Sequence, residues 1–324
     1  NDNNDDTTTQ NDNNDDTQTN NDTSNNTETN AGSSSQHAQS NAQSGILDYG
    51  KLVFDERLAG GTFGAVWKGK YCDKEVAIKV IKDLDENSIR GFKQELEVMA
   101  MMNSPYIVQS YGGCVDPKPC LVMEYCSGGS LPSWLKRKDI TFGWKEFLDL
   151  SEDTARGLKS LHDSDPQIVH RDLKSLNILV QPKGGDRPVA KLCDFGLARF
   201  NTTTNRETLL TLRGTYEYVA PEVLGKSAYT SASDIYSYAV VVFELMNVVV
   251  SGKYVGPYEH MSLPSVAILV RVMRGTRPKI PEACPENVKQ LITSCWAQVP
   301  EERPNADQIL EALKQLRGEL LSDN

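Results

Sequence analysis

One change of periodicity limits what this chain can fold into more than any other feature. After Gly45 the apolar residues fall in short alternating runs rich in Val and Phe, and further on they recur at spacings of three and four as far as the C-terminus. Alternation puts side chains on both faces of a strand, whereas the three-four spacing lines one side of a helix. Strands first and helices later predict an α+β protein, a β-rich part followed by an α-rich part. In Val76 to Ile81 the period of two sets Val76, Ile78 and Val80 on one face and Ala77, Lys79 and Ile81 on the other. A lone strand lysine normally faces solvent, so an inward Lys79 requires a partner. On the helix predicted next, Ile89, Phe92, Leu96 and Met99 form one apolar stripe, with Glu95 beside it as the candidate ion-pair partner.

Composition separates off the first forty-four residues. They hold no Lys or Arg, no aromatic and no aliphatic side chain larger than Ala, and NDNNDDT at Asn1 to Thr7 returns at Asn11 to Thr17. Such a segment buries too little apolar surface to offset its ordering entropy, so residues 1–45 are expected to be a disordered Asn/Asp/Thr-rich tail. Eight acidic residues lie there, against a net charge of −10 for the whole chain. The remainder is close to neutral and gives no support for nucleic-acid binding. Seven cysteines are scattered without a C-x-x-C pair, which reads as reduced thiols in a cytoplasmic protein. The longest apolar run, Tyr238 to Val250, is interrupted by Glu244 and Asn247 and falls short of the ~20 residues a membrane helix requires. It is expected to be a buried helix, leaving no membrane segment. The chain begins at Asn1 without a methionine, as a fragment would, and no signal peptide is read.

The chemistry-bearing residues follow in order. Leu58, Ala59, Gly60, Gly61, Thr62, Phe63, Gly64, Ala65 and Val66 lie between two strand-like runs. Glycines let backbone amides approach phosphate oxygens, although a Gly-rich hairpin alone is more often a plain turn. No Gly-Lys-Ser/Thr follows, so it is not a Walker loop. His170 to Asn177 then precedes the apolar strand Ile178 to Val180, and Cys193-Asp194-Phe195-Gly196 comes after it. Singly, Asp172, Asn177 and Asp194 read as turn residues. Together with Lys79 and Glu95 they supply what phosphoryl transfer needs: a carboxylate to orient the attacking hydroxyl, and oxygen ligands for Mg²⁺ on the phosphates.

The ordered series of glycine loop, Val76-Ala77-Ile78-Lys79, His170-Arg171-Asp172, Asp194-Phe195-Gly196 and Ala220-Pro221-Glu222 resembles the eukaryotic protein kinase catalytic domain. The resemblance implies a bilobal fold over residues 52–316, with a small β-rich N-lobe holding one key helix and a large α-helical C-lobe, and a C-terminal tail at 317–324. It implies an ATP- and Mg²⁺-dependent kinase acting on serine or threonine of protein substrates in signalling, with dual specificity toward tyrosine as the broader form of the same reading. By that resemblance Asp172 is the catalytic base beside Lys174, Lys79 binds the α- and β-phosphates while paired to Glu95, and Asn177 and Asp194 hold the metal. Leu58 to Val66, Ala77, Met123 as gatekeeper, Glu124, Tyr125 and Cys126 as hinge, and Leu179 line the nucleotide site. Asp234 would accept backbone amides of the catalytic loop, and Glu222 would pair with Arg303. Lys174 with Gly214-Thr215 resembles serine/threonine kinases, with the Thr215 hydroxyl bridging Asp172 and Lys174, and the stretch Gly214 to Glu222 with Cys295-Trp296 looks like their tyrosine-kinase-like branch.

Two departures carry consequences. Ala59 replaces the first glycine of the loop, which is tolerated if φ there is negative. Ser110 stands where the family has a large apolar residue in line with Met99, Phe195 and His170, and predicts a low resting activity. Phosphorylation of Thr211, or secondly Thr208, by an upstream kinase or by the enzyme itself is the expected switch, read through Arg171 and Arg199. The alternatives are a catalytically inactive kinase-fold scaffold and a small-molecule phosphotransferase. Retention of all five polar residues opposes the first, and the long segment from Asp194 to Glu222 opposes the second.

Overall fold

The computed structural model describes residues 45–61, 64–82, 86–183, 186–195, 216–225, 229–261 and 263–322. The tail, Thr62, Phe63, Gly196, Arg199, Thr208, Thr211, Gly214 and Thr215 lie outside them.

Five antiparallel strands build the first part: β1 (Leu52–Gly61), β2 (Gly64–Tyr71), β3 (Lys74–Ile81), β4 (Ser110–Cys114) and β5 (Cys120–Glu124), in the order β1-β2-β3-β5-β4. Helix α1 (Glu86–Met101) connects β3 to β4. The period of two in β3 divides two packed layers. Val76 and Ile78 bury with Cys114, Cys120 and Val122 on one face. Ala77 lies on the other, in the main core with Phe92, Leu96 and Met99 of α1.

The edge strand β4 does not remain open. Leu47 donates its N–H to Gly113 O at 2.8 Å and Gly113 donates its own to Gly45 O at 2.8 Å, so the entering chain lies along β4 as a short parallel bridge. Covering an edge in this way blocks pairing with foreign strands. Gly112 permits the approach: its φ is +122°, and a Cβ there would meet Gly45 O at 2.3 Å.

The second part is helical around one hairpin: α2 (Leu131–Leu135), α3 (Trp144–His162), β6 (Ile178–Lys183), β7 (Asp186–Leu192), α4 (Pro221–Leu224), α5 (Ser231–Ser251), α6 (Ser265–Met273), α7 (Glu286–Cys295) and α8 (Ala306–Leu321). The last helix continues past Leu316 because Leu320 and Leu321 still pack against the core. Helix α5 is its centre, with Tyr236, Tyr238 and the run Ala239 to Met246 almost fully enclosed. At 21 residues it is long and apolar enough to cross a membrane, so the shorter run read from the sequence understated it. Its burial within the protein, rather than its length, identifies it as a core helix. Thr230 and Ser233 form a capping box at its start, which leaves Asp234 inside the first turn and free for another task.

Candidate active site

Lys79 sits in β3 opposite Val66 of β2 and Leu121 of β5, on the face turned toward α1. Its Nζ lies 2.7 Å from Asp194 Oδ1. The side chain of Glu95, its expected partner, lies outside the described residues. The lysine is therefore inward as its strand period required, and its described partner is a carboxylate from the second part of the chain.

Asp194 reaches this point because the backbone around it is sharply bent. Cys193 N donates to Asn177 O at 2.9 Å, joining this stretch to the loop ahead of β6. Asp194 itself has φ +60°, a conformation that L-residues adopt only when their surroundings hold them there. In the neighbouring loop Lys174 Nζ lies 2.7 Å from Asp172 Oδ2. Asn177 Nδ2 donates to the backbone oxygen of Asp172 at 2.8 Å and to its Oδ2 at 2.9 Å. Asp172 is thus oriented by two donors from its own loop. The amide nitrogen of Asn177 is committed there, which leaves its oxygen for another partner. Asn177 Oδ1 and the Asp194 carboxylate are hard oxygen donors of the type Mg²⁺ prefers. No cluster of three or more His, Cys, Asp or Glu suited to a metal occurs among the described residues. Magnesium keeps water and phosphate in its coordination shell, so two protein oxygens such as these would suffice to hold it.

A deeper layer fixes the loop. Asp234 is fully buried and accepts from His170 N at 2.8 Å and Arg171 N at 2.9 Å, with His162 Nε2 at 2.9 Å. Arg171 consequently holds φ +67°. The imidazole of His170 is enclosed and packs edge-on against Phe195, ring centroids 6.4 Å apart. Burial lowers its pKa, so it is neutral near pH 7. Met99 and Phe195 are buried in the same core. Ser110, opposite Met123 in the β4–β5 register, is also buried, and its Oγ accepts from Gly112 N at 3.3 Å across a bulge. The hydroxyl thus satisfies a bulge amide at the position where an apolar side chain was expected.

The residues expected to line the nucleotide site come from distant pieces of chain. Ala77, Met123 and Cys126 are buried, Val66 and Leu179 partly so, and Leu58 is exposed at the rim. Ala59 pairs with Val66 without a positive φ, so its methyl is accommodated. Gly64 is different: φ is +142° and a Cβ would stand 1.8 Å from Val80 O. Gly128 N donates to Val180 O and Val180 N to Gly129 O, which sets Leu179 beside the turn that follows Cys126. Glu124 is pinned by Lys191 Nζ at 2.8 Å and by Gln109 N at 3.2 Å, two residues the sequence reading passed over. Lys191 carried a usable signal, being a lysine inside an apolar strand as Lys79 is. Cys193 is buried, and desolvation raises its thiol pKa well above the usual value, which makes it inert.

Glu222 and Arg303 meet through paired bonds, Nη1 to Oε1 at 2.7 Å and Nη2 to Oε2 at 2.8 Å. A family model described as protein tyrosine and serine/threonine kinase matches residues 52–313. The chain is 41% identical over 282 residues to stress-activated protein kinase alpha of Dictyostelium discoideum, covering 86% of this chain and 44% of that protein. It is 39% identical over 274 residues to ankyrin repeat-containing protein kinase A of the same organism, covering 83% and 18%. To the serine/threonine-protein kinase STY17 of Arabidopsis thaliana it is 35% identical over 280 residues, covering 86% and 46%. The chain spans less than half the length of these relatives.

Proposed function

Because the chain belongs to the protein tyrosine and serine/threonine kinase family, we propose that it transfers the γ-phosphoryl group of ATP to serine or threonine hydroxyls of protein substrates. The observation that carries this reading is the convergence of Lys79 and Asp194 at 2.7 Å with the Lys174-Asp172-Asn177 cluster of the adjoining loop. Asp172, held in one orientation, receives the proton of the attacking hydroxyl. Lys174 neutralises charge beside it, and Lys79 is the cation for the nucleotide phosphates. Mg²⁺, when bound at Asn177 and Asp194, supplies charge neutralisation on those phosphates. Adenine fits the slot between Ala77, Met123 and Leu179, with the backbone from Glu124 to Cys126 as its polar edge. Free thiols throughout support a cytoplasmic setting. Thr211, and secondly Thr208, are the proposed activating phosphorylation sites.

A magnesium-dependent radiolabelled autophosphorylation assay with mass mapping of the labelled sites tests this. The wild type labels itself, with phosphate at Thr211 or Thr208. Asp172→Asn loses turnover by roughly 10²-fold or more while retaining ATP binding. Undiminished turnover in that variant would remove Asp172 as the base. A wild type that binds ATP but labels neither itself nor any peptide would favour the scaffold reading.

A further inference from the structure

Helix α5 is the most enclosed helix of the larger part, yet it carries a carboxylate at its middle. Glu244 is wholly buried. Its Oε1 accepts from Tyr218 Oη at 2.9 Å, from Ser175 Oγ at 3.2 Å and from Tyr254 Oη. Ser175 Oγ also lies 3.0 Å from the Tyr218 hydroxyl and 3.3 Å from that of Tyr254. The second oxygen, Oε2, is enclosed without a hydrogen-bond partner among the described residues. Burying a carboxylate is costly, and a leucine would serve packing alone. What the carboxylate adds is a common acceptor for three separate pieces of chain. Ser175 belongs to the catalytic loop, between Asp172 and Asn177. Tyr218 stands just ahead of Ala220-Pro221-Glu222, and Tyr254 follows α5.

We propose that the Glu244 carboxylate is a positioning residue that clamps the Asp172–Asn177 loop to the stretch bearing Tyr218, and that the clamp loosens when it takes a proton. This rests on the reading of the chain as a kinase. The ionised group receives all three hydroxyls. The acid, protonated on Oε2 where no acceptor is described, keeps only a neutral carbonyl at Oε1, which accepts more weakly than the carboxylate. Ser175 is then held less firmly, and the orientation of Asp172 with it.

The surroundings bring this change into the neutral range. Burial raises the Glu244 pKa from its ordinary 4.5 to about 7, against the opposing pull of the Tyr254, Tyr218 and Ser175 hydroxyls, and Glu217 adds like-charge repulsion. Burial also raises the pKa values of Tyr218 and Tyr254, so both remain donors. A cation, Lys136, stands 5.0 Å from the Tyr254 ring centroid. An acid whose native pKa is raised binds an extra proton in the folded state between 4.5 and about 7. Its stabilising contribution is complete below 4.5 and is lost as pH rises through about 7. The clamping form is therefore the less stable of the two.

The full chain and Glu244→Gln are compared for peptide kcat/KM and for melting temperature between about pH 6 and about pH 8.5. The wild-type rate rises about tenfold across this window. The glutamine variant, neutral throughout, shows a flat profile near the wild-type low-pH level. It also melts above the wild type at high pH, with the gap closing on acidification. A purely structural role for Glu244 would make the variant melt lower at every pH, and that result overturns the proposal, as does an unchanged pH profile. Ser175→Ala, which removes one donor and leaves the acid in place, moves the wild-type limb to higher pH; an unmoved limb counts equally against the clamp. If the wild type transfers no phosphate at any pH the kinase reading falls, and the melting comparison alone then decides whether Glu244 titrates.

Discussion

Lys79 and Asp194 illustrate how a residue acquires its meaning. The inward orientation of Lys79 follows from strand alternation, and a buried ammonium requires an opposite charge. Its sequence neighbourhood offered Glu95, whose side chain lies outside the described residues, and the structure adds a contact with Asp194 at 2.7 Å. In Asp194→Asn the lysine loses that charge and the proposed metal site loses its carboxylate. The Mg²⁺ concentration for half-maximal rate should rise by on the order of tenfold or more, measured by titrating the metal at saturating ATP. An unchanged titration would count against Asp194 as a ligand.

Among the elements, β4 shows a residue choice that packing alone does not explain. Ser110 was expected to leave a gap in line with Met99 and Phe195, but its hydroxyl accepts the Gly112 amide at the bulge. That bulge in turn shapes the edge on which Gly45 to Leu47 is laid. Ser110→Leu therefore exchanges a satisfied amide, whose loss costs about 1–3 kcal/mol, for apolar contact in the stack. The expected outcome is a higher basal rate with a lower melting temperature, whereas Ser110→Ala lowers melting temperature without the gain in rate. An unchanged melting temperature together with an unchanged or lower rate would exclude a limiting role for Ser110. The apolar stripe of α1 and the two faces of β3 were legible in the sequence because each depends on local period. The bulge was not, because a register shift exists only between two strands.

Across the whole molecule, the Glu222–Arg303 pair joins α4 to the segment ahead of α8, and Arg303 also donates to Ala232 O and Ala297 O. Burial pushes the Glu222 pKa up, but the Arg303 guanidinium with the other hydrogen bonds to the carboxylate brings it below the ordinary 4.5. Its stabilising contribution is thus present above 4.5 and is lost as pH falls through the lowered native value. Arg303→Met leaves a carboxylate half-buried and unpaired, and should destabilise the fold by roughly 3–5 kcal/mol in denaturant titration at neutral pH. The loss should shrink as the solution is acidified below the unfolded value. A loss under about 1 kcal/mol at neutral pH would show that water screens the pair.

The sequence by itself determined the α+β order, the inward lysine, the buried helix and the identity of the motif residues, because these depend on period, on residue chemistry and on short-range order along the chain. It also marked Asp234 and the Glu222–Arg303 pair, though only through resemblance. The tertiary structure alone decided which groups meet: Lys79 with Asp194, Glu124 with Lys191, and Ser175, Tyr218 and Tyr254 on Glu244. Hydrogen bonds and ion pairs form over a few ångströms, and residues far apart in the chain reach that range only after the core has brought their elements together.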